Sequence, residues 1–534
     1  MTTRPGPTDA MALDPAQLQV LIAQLSGVAE EMGAVLRRGA FSPNIKERAD
    51  CSAAVFDAQG RLLAQAEHIP VHLGSMPASV ASVIEVVGGS LGPGDQAVVN
   101  DPFAGGTHLN DITLVAPCHV GDRLVGWVAN RAHHADVGGA APGSLPADAT
   151  DITQEGLRLP PMRLTAEVRR LLLANSRTPD ERAGDLDAQL GANVVGVRRL
   201  AELSEAPFDE VLQYGQRRGR AAVLAVPDGE WSASDVLDSV GPRASQQQPV
   251  TIRCTVRCAG DELTFDFTDS DDQCWGNTNA VRAVTVSAVA FVMRSMIDPT
   301  LPSNAGTMRS VRVVTRPGSI VDAIHPGAVG AGNVEVSQRL VDVCSLALVD
   351  ALPNRVPAAS QGTMNNLLIG AAGGTDGRGA WVYYETIGGG QGGRPPDPTS
   401  PTDRPRPGMS GVHTAMTNTL NTPVEAFERS YGMRVRAVRL RRQTGGTGAA
   451  PGGDGIEREV ELLVDATVSL ITERRATAPW GLAGGGPGAV GENWLLPGGD
   501  ESAAVRLGDK VTVEVRAGDV IRVRTPGGGG WGPP

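Results

Sequence analysis

Two β-prone runs separated by a short turn limit how the first part of this chain can fold. Residues 112–119 and 123–130 are rich in apolar and branched side chains, and Gly121 and Asp122 lie between them. A Gly/Asp pair between two such runs predicts a β-hairpin, because these residues accept the backbone angles of a tight turn. The hairpin then decides which flanking residues face each other.

The residues that flank this hairpin are of the types that bind divalent metals. Asp111 precedes the first run, His133 and His134 follow the second, and His108 lies in the loop before the hairpin. Pairing about the turn places Asp111 opposite His133 or one position away, and cross-strand neighbours lie roughly 5 Å apart. Imidazole and carboxylate groups that converge in this way suit a metal. We therefore predict His108, Asp111 and His133 as ligands, with His134 on the opposite face. The alternative is that these histidines cap strand ends by bonding backbone carbonyls.

The rest of the chain mixes helical and strand patterns, which predicts a multi-domain α+β protein, β-rich with helical segments and glycine-rich loops. Helices are expected at 15–38, 79–87, 167–175, 178–203, 209–224, 279–297 and 338–351, and strands within 250–267. A break at Pro227 suggests a domain boundary. We expect residues 1–226 to form a metal-binding domain with an N-terminal helix and the ligand-bearing hairpin. Residues 227–534 would form one or more β-rich domains with buried helices, completing the active site and the partner interface.

Charge and composition exclude several classes of partner. The net charge of −12 opposes binding to nucleic acid or to an anionic membrane surface. Met1 to Asp9 contain no basic segment followed by an apolar one, and no stretch approaches the roughly 18 uninterrupted apolar residues of a membrane span. The 6 cysteines form no Cys-x-x-Cys pair, which predicts reduced, mostly buried thiols. We expect a cytoplasmic protein.

Glycine is abundant, with 67 residues, but the apolar content is that of a globular protein, so turns and close-packed loops are expected rather than disorder. The tract at 388–393 could be taken for a phosphate cradle. However, Arg394 and Pro395 follow it, and no Gly-x-x-x-x-Gly-Lys-Ser/Thr string occurs in the chain. We interpret the tract as a sharp turn beside a pocket and expect no ATP site in this chain.

Three polar features each allow two interpretations. The run Glu473, Arg474 and Arg475 is either an exposed charge run or a contact for substrate or partner. His413 and the short polar residues after it either line a pocket or form turns. His72 is either a core histidine or a residue that supports a metal ligand.

Several long strings, in order, resemble one known family. They are residues 44–50, 68–76, 100–111, 131–134, 142–144, 361–366, 385–390, 416–425, 473–475 and 525–532. The chain resembles the hydantoinase B/oxoprolinase family, which includes the B subunits of ATP-dependent hydantoinases, the beta subunit of caprolactamase and the alpha subunit of acetone carboxylase.

The resemblance implies a set of metal ligands: Asp50, His108, Asp111 and His133. Asp50 follows the family's Asn-x-Lys-Glu-Arg string, whereas its local sequence alone favours a solvated carboxylate at the start of a strand. Two imidazoles and two carboxylates suit zinc, manganese or iron alike.

The resemblance also implies a division of labour in a hetero-oligomer, in which an A-type partner subunit binds ATP. This chain would be the metal-dependent B-type subunit that opens a cyclic amide such as a hydantoin, N-methylhydantoin, oxoproline or lactam. Asp136 or Glu47 is a candidate base, and a structural salt bridge is the alternative role for each. Two other functions are open: the alpha-type subunit of an ATP-dependent ketone carboxylase, and a metal-stabilised scaffold without catalytic activity.

Overall fold

This computed structural model describes residues 13–67, 69–373, 379–397, 400 and 402–534, so the expectation for Met1 to Asp9 lies outside the described residues. The α-helices of the described residues are α1 Pro15–Gly39, α2 Pro43–Lys46, α3 Ser75–Val87, α4 Ala166–Asn175, α5 Pro179–Ala201, α6 Phe208–Leu224, α7 Arg282–Val292, α8 Ser337–Ala347 and α9 Val424–Ser430. The strands are β1 Cys51–Asp57, β2 Leu62–Glu67, β3 Ala97–Val99, β4 Asp111–Val120, β5 Arg123–His133, β6 Met162–Arg163, β7 Gly229–Leu237, β8 Val250–Ala259, β9 Glu262–Asp266, β10 Val311–Val314, β11 Asn366–Ala371, β12 Trp381–Glu385, β13 Met433–Arg441, β14 Gly455–Leu462, β15 Ala466–Ile471, β16 Glu492–Leu496, β17 Val505–Leu507, β18 Lys510–Val515 and β19 Val520–Arg524. The expected mixture of helix and sheet is confirmed.

The N-terminal helix α1 begins where its capping residues predict. The Asp14 carboxylate accepts hydrogen bonds from the backbone N–H groups of Ala16 (2.8 Å) and Gln17 (2.9 Å), and the Gln17 side chain bonds back to the Asp14 N–H. Pro15 occupies the first helical position, where its missing N–H costs nothing. The predicted helices are confirmed with small shifts of their ends, and α3 begins at Ser75, four residues earlier than expected.

The strands form four sheets among the described residues. Their orders are β2-β1-β5-β4-β3-β6, β10-β9-β8-β7, β12-β11-β15-β18 and β13-β14-β19-β16-β17. In the first sheet, β4 and β5 are the predicted hairpin, with Val120 paired to Arg123 at the turn and Asp111 paired to His133 at the far end. The hairpin and its register are therefore confirmed.

Both faces of the first sheet are covered, which places the ends of the hairpin strands in the interior. Val55 and Val128 pack in a cluster with α1, and Phe56 and Trp127 pack in a second cluster with α3. Successive residues of a strand point to opposite faces, so β1 is buried along its whole length. Helix α5 also lies against β4 and β5.

The largest apolar cluster contains buried residues from both sides of residue 226, for example Ile112 of β4, Val284 of α7 and Leu340 of α8. The two predicted buried helices are thus confirmed, and each adjoins a π-helical turn, Met293–Ile297 after α7 and Gly332–Val336 before α8. The division of the chain at residue 226 stays a prediction. The two parts share a core at the hairpin.

Glycine-rich segments of the last third pack together in a unit that we call the glycine bundle, formed by residues 358–361, 388–393, 444–453, 482–489 and 526–530. Segment 526–530 lies at its centre and exchanges backbone hydrogen bonds of 2.7–3.1 Å with every other segment, through the pairs Gly529–Ala359, Gly390–Pro526, Gly393–Gly529, Gly446–Gly528, Gly528–Gly453, Gly530–Gly486 and Gly527–Ala489. A Cβ atom on Gly528 would lie 2.1 Å from the Gln391 carbonyl oxygen, so only glycine fits there. The expected close-packed loops are thus a hydrogen-bonded bundle.

The stretch Pro70–Ser90 is long and apolar enough to cross a membrane by length and composition, which contradicts the sequence-based expectation that no stretch approaches this size. It consists of α3 with a turn of 3-10 helix at each end. In the fold, Met76, Val80 and Val83 of α3 are buried in the cluster beneath the first sheet. This packing is typical of a core helix.

Candidate metal centre and active site

Three predicted ligands converge at the open end of the β4–β5 hairpin. His108 Nε2 lies 3.2 Å from Asp111 Oδ1, and His133 Nδ1 lies 3.3 Å from the same oxygen. The two imidazole nitrogens are 3.2 Å apart. The convergence follows from the strand register for Asp111 and His133, and from a tight loop for His108. In that loop Gly105 has φ +89°, and a Cβ atom there would lie 2.5 Å from the backbone of Ala78.

These distances suit a single bound cation. Ligand atoms at about 2.0–2.2 Å from one ion lie about 2.8–3.6 Å from each other in tetrahedral or octahedral geometry. All three residues are buried, with exposed fractions of 1–2%. Nitrogen and oxygen donors without a thiolate are compatible with zinc, manganese or iron. The residues present therefore fit the group that the sequence predicts.

The electrostatics of the three side chains also suit a cation. Burial alone would raise the pKa of Asp111, but the charge of His108 and hydrogen bonds from the histidines hold it well below its usual range. Burial lowers the pKa of His133 to about 3. For His108, Asp111 outweighs burial and raises the pKa. The cluster is thus a carboxylate with one imidazole that favours a proton, and a metal bound there would displace that proton.

The second oxygen of Asp111 is held by three other side chains. Oδ2 accepts a hydrogen bond from the Thr107 hydroxyl at 2.5 Å and from Asn333 Nδ2 at 3.4 Å, and His72 Nε2 lies 3.5 Å away. His72 is itself held by Ser52, at 2.8 Å from Nδ1. His72 Nε2 thus lies near the predicted ligand but forms no hydrogen bond among the described residues, and its supporting role stays a prediction. Such contacts fix the orientation of a metal-binding carboxylate.

Asp50 lies beside the cluster. It lines a cavity of about 20 Å³ together with Asp111 and His133, and its backbone carbonyl accepts a hydrogen bond from the His133 N–H at 3.1 Å. Burial raises its pKa to about 7, with Arg48 opposing the shift and Asp111 adding to it. The solvated carboxylate that local sequence suggested is wrong, since Asp50 is 7% exposed. Its role as a fourth ligand stays a prediction.

The other histidine of the pair points away, as predicted. His134 Nε2 lies 2.9 Å from Gln189 Oε1 on helix α5, on the face opposite His133. Burial lowers the pKa of His134 to about 4, so it is neutral. Its contact is with a helix that covers the sheet, which indicates a structural role.

Neither of the predicted bases lines the cavity among the described residues. Asp136 forms an ion pair with Arg177 at 2.9 Å and accepts backbone hydrogen bonds from Arg177 (2.9 Å) and Gly138 (3.2 Å). Glu47 is half-buried at the end of α2. The geometry favours the structural alternative for Asp136, and the catalytic assignments stay predictions.

Two residues at or behind the cavity wall were not found from sequence. The Tyr384 ring lines the cavity and stacks on His133, with centroids 4.6 Å apart and planes at 24°, and its hydroxyl donates to Asn366 Oδ1 at 2.9 Å. The Arg48 guanidinium does not line the cavity and lies 4.8 Å from the centroid of the Tyr384 ring. The only signal was sequence position, since Arg48 lies within a string that resembles the family and Tyr384 directly precedes another.

The run Glu473–Arg474 is buried, so the interpretation as an exposed charge run is wrong. Glu473 Oε1 lies 2.6 Å from Lys510 Nζ, and Arg474 lies 2.6 Å from Asp342. These ion pairs have exposed fractions of 0–9%. His413 is half-buried, with Nδ1 3.4 Å from the hydroxyl of Thr417, a residue of the cavity wall.

Known proteins resemble this chain along almost its whole length. The family model described as hydantoinase B/oxoprolinase matches residues 14–534. An uncharacterized protein of Methanocaldococcus jannaschii is 39% identical, over 98% of this chain and 91% of its own length. The 5-oxoprolinase 1 of Arabidopsis thaliana is 35% identical over 97% of this chain, which spans 42% of that protein. The crystal structure of the ATP-dependent caprolactamase from Pseudomonas jessenii has a TM-score of 0.88 at 26% identity, covering 98% of this chain and 91% of that chain.

Proposed function

Because this chain belongs to the hydantoinase B/oxoprolinase family, we propose that it is the metal-dependent subunit of an enzyme that opens a cyclic amide ring at the expense of ATP. The observation that carries the proposal is the buried convergence of His108, Asp111 and His133 beside a small cavity. The names of its relatives support the reaction class, since they include 5-oxoprolinases and an ATP-dependent caprolactamase.

In this proposal His108, Asp111 and His133 hold one divalent cation, with Asp50 as a fourth donor. A bound divalent cation lowers the pKa of water toward neutrality and polarises an amide oxygen. Thr107, Asn333 and His72 hold the second oxygen of Asp111, so that the first oxygen stays directed at the imidazoles. The alternative of a metal-stabilised scaffold is disfavoured by the adjoining cavity, because a purely structural site has no need of one.

An amide resists attack by water, so the ring must be activated first. We assign this step to an A-type partner that phosphorylates the amide oxygen with ATP. The sequence has lysine only at positions 46 and 510, and neither follows glycine, so it contains no phosphate-binding Gly-Lys string. The Arabidopsis relative is more than twice the length of this chain, which leaves room for an A-type unit in the same polypeptide. Here the unit would be a separate chain.

The test is turnover by the purified chain with and without its A-type partner. We expect ATP consumption with a hydantoin or lactam only in the mixture, and heavy oxygen from labelled water in the product carboxylate. ATP-dependent fixation of labelled bicarbonate into a ketone, with cyclic amides inert, would instead assign the chain to the carboxylases. Tight ATP binding by the isolated chain in calorimetry would contradict the division of labour.

A further inference from the structure

Arg48 is a buried cation without a carboxylate partner. Its side chain is fully buried, and no carboxylate oxygen of the described residues lies within 4.0 Å of it, although its charge acts on the nearby Asp50 and opposes the rise of that residue's pKa. Three other fully buried arginines are neutralised: Arg182 by Asp185 at 2.9 Å, Arg339 by Asp235 at 3.1 Å and Arg474 by Asp342 at 2.6 Å. A charge is seldom buried unless it is paired, so Arg48 needs an explanation.

The hydrogen bonds of Arg48 are also incomplete. NH1 donates to the Tyr384 carbonyl at 2.5 Å and NH2 donates to the Thr386 hydroxyl at 3.1 Å. The contacts with Asn44 (3.4 Å) and Thr419 (3.5 Å) are long, and Nε has no partner among the described residues, as is also the case for Arg182, Arg339 and Arg474. A guanidinium carries five N–H groups in a planar fork. Arg48 therefore retains donor capacity in a buried place.

Arg131 shows what a satisfied arginine looks like in the same sheet. It also lacks a carboxylate within ion-pair distance in the described part of the chain, but its donors are used. Nε donates to the Thr113 hydroxyl at 2.8 Å, NH2 donates to the Ser79 hydroxyl at 2.7 Å, and NH1 donates to Ser75. Arg131 is thus explained as a structural link between β5 and α3. The hydrogen bonds of Arg48 do not explain its burial in the same way.

The position of Arg48 supplies the explanation. Three of the residues it contacts, Tyr384, Thr386 and Thr419, line the cavity that adjoins Asp111 and His133. The guanidinium therefore lies directly behind the cavity wall, on the side of the threonine hydroxyls. A ligand that enters the cavity brings its polar groups within reach of this positive charge.

We propose that Arg48, with the hydroxyls of Thr386 and Thr419, binds an oxyanion of the ligand, either a phosphoryl or a carboxylate group. The two hydroxyls are hydrogen-bonded to each other at 2.6 Å, so one of the two O–H groups is already used; the other O–H and the guanidinium fork match both anions. A cavity of about 20 Å³ holds one water, so a larger ligand requires the wall to open. In this proposal the part that opens is segment 413–422, which contributes Thr417 and Thr419 to the wall. That segment has neither helix nor strand, and it contributes the longest contact of Arg48. The nature of the ligand, an activated cyclic amide, rests on the proposed function.

The test is calorimetric titration of the purified, zinc-loaded full chain with inorganic phosphate and, separately, with acetate. We expect the wild-type chain to bind at least one probe, and Arg48→Met to weaken that binding about 10- to 100-fold, as for a lost hydrogen bond to a charged group. Arg123→Met, at the exposed hairpin turn, is the matched control and should bind as the wild type does. Zinc content is measured in every variant, so that loss of metal is not read as loss of the subsite.

Binding of phosphate alone assigns the subsite to a phosphoryl group, and binding of acetate alone assigns it to a carboxylate. Unchanged binding in Arg48→Met, or no binding of either probe to the wild type, overturns the proposal. If Arg48→Met does not fold, Arg48→Lys is used to test the proposal. Lysine keeps the positive charge but lacks the planar fork of N–H donors, so it should weaken binding of the probe about threefold or more. Phosphate and acetate are not substrates, so their binding is measured independently of catalysis. If Arg48→Met binds them as the wild type does and the complex still hydrolyses a cyclic amide with ATP, the oxyanion subsite is refuted and the proposed function is not.

Discussion

Replacing His133 and His134 by alanine should have opposite consequences, although the two residues are adjacent and equally buried. His133 Nδ1 lies 3.3 Å from Asp111 Oδ1 and 3.2 Å from His108 Nε2. His134 instead contacts Gln189 at 2.9 Å. We expect His133→Ala to lose the metal and His134→Ala to keep it.

The size of the effect follows from these contacts. Changing a residue that merely supports a ligand costs about 10- to 100-fold in metal affinity, so removing His133 itself should cost at least about 100-fold. At a free metal concentration of about 100 times Kd, the metal stabilises the wild type by about 2.7 kcal/mol, and a 100-fold weaker variant by only about 0.4 kcal/mol. For a chain of this size the difference corresponds to about 2 °C in Tm.

Without metal the two variants differ less. His133→Ala loses its stacking on Tyr384, worth about 0.5–1.5 kcal/mol, and also its 3.3 Å contact with the buried Asp111 carboxylate. His134→Ala leaves the buried Gln189 side-chain oxygen without its donor, at a cost of about 1–3 kcal/mol. Both variants should therefore be less stable than the wild type in chelator.

The assay is elemental mass spectrometry on each purified variant, with thermal denaturation in chelator and in excess metal. His134→Ala should show the full metal-induced rise in Tm, whereas His133→Ala should show little of it. Full metal occupancy in His133→Ala, or loss of metal in His134→Ala alone, would refute the ligand assignment drawn from the hairpin register.

Three further outcomes are expected. Burial raises the pKa of Glu335 to about 8, so the protonated carboxyl stabilises the fold at low pH and this stabilisation is lost as the pH rises toward 8. The Tm of Glu335→Gln should therefore rise relative to that of the wild type between about pH 5 and 8.5. A Tm difference that stays constant over this range would contradict the prediction. Gly528→Ala should lower the free energy of unfolding by about 3 kcal/mol or more, because the added Cβ would lie 2.1 Å from a carbonyl oxygen. Gly191→Ala, in helix α5, should be neutral or stabilising, because its added Cβ has no atom within 4 Å. Denaturation midpoints of the two variants are compared with that of the wild type. Asp136→Asn should keep its metal and have a lower Tm, because Asp136 forms an ion pair with Arg177 at 2.9 Å. Loss of metal from this variant, measured by mass spectrometry, would instead indicate that Asp136 takes part in the metal centre.

The parts of the site that local sequence predicts are those joined by short-range geometry. A turn at Gly121 and strand alternation suffice to bring Asp111 opposite His133, because hairpin register is set within the hairpin itself. The helices were predictable for a similar reason, since caps and apolar spacing act within a few turns.

The parts that sequence could not predict come from distant segments. Asn333 contacts Asp111 across 222 positions, and Tyr384 reaches His133 from a different sheet. Glu473 looked exposed because its counter-charge, Lys510, lies on another strand, and burial of an ion pair has no local signature. Such contacts depend on the packing of sheets, which no periodicity in the chain encodes.

The glycine bundle also has a consequence for the order in which the protein is made. Its central segment, 526–530, is the last of its five segments to be synthesised, and the others have backbone groups that pair with it. At a synthesis rate of about 5–20 residues per second, segment 358–361 waits roughly 10–30 s before this partner emerges. During that interval the N-terminal hairpin sheet can fold, whereas the glycine segments remain hydrated. The bundle is thus a late step in folding, completed only when its central segment has been synthesised.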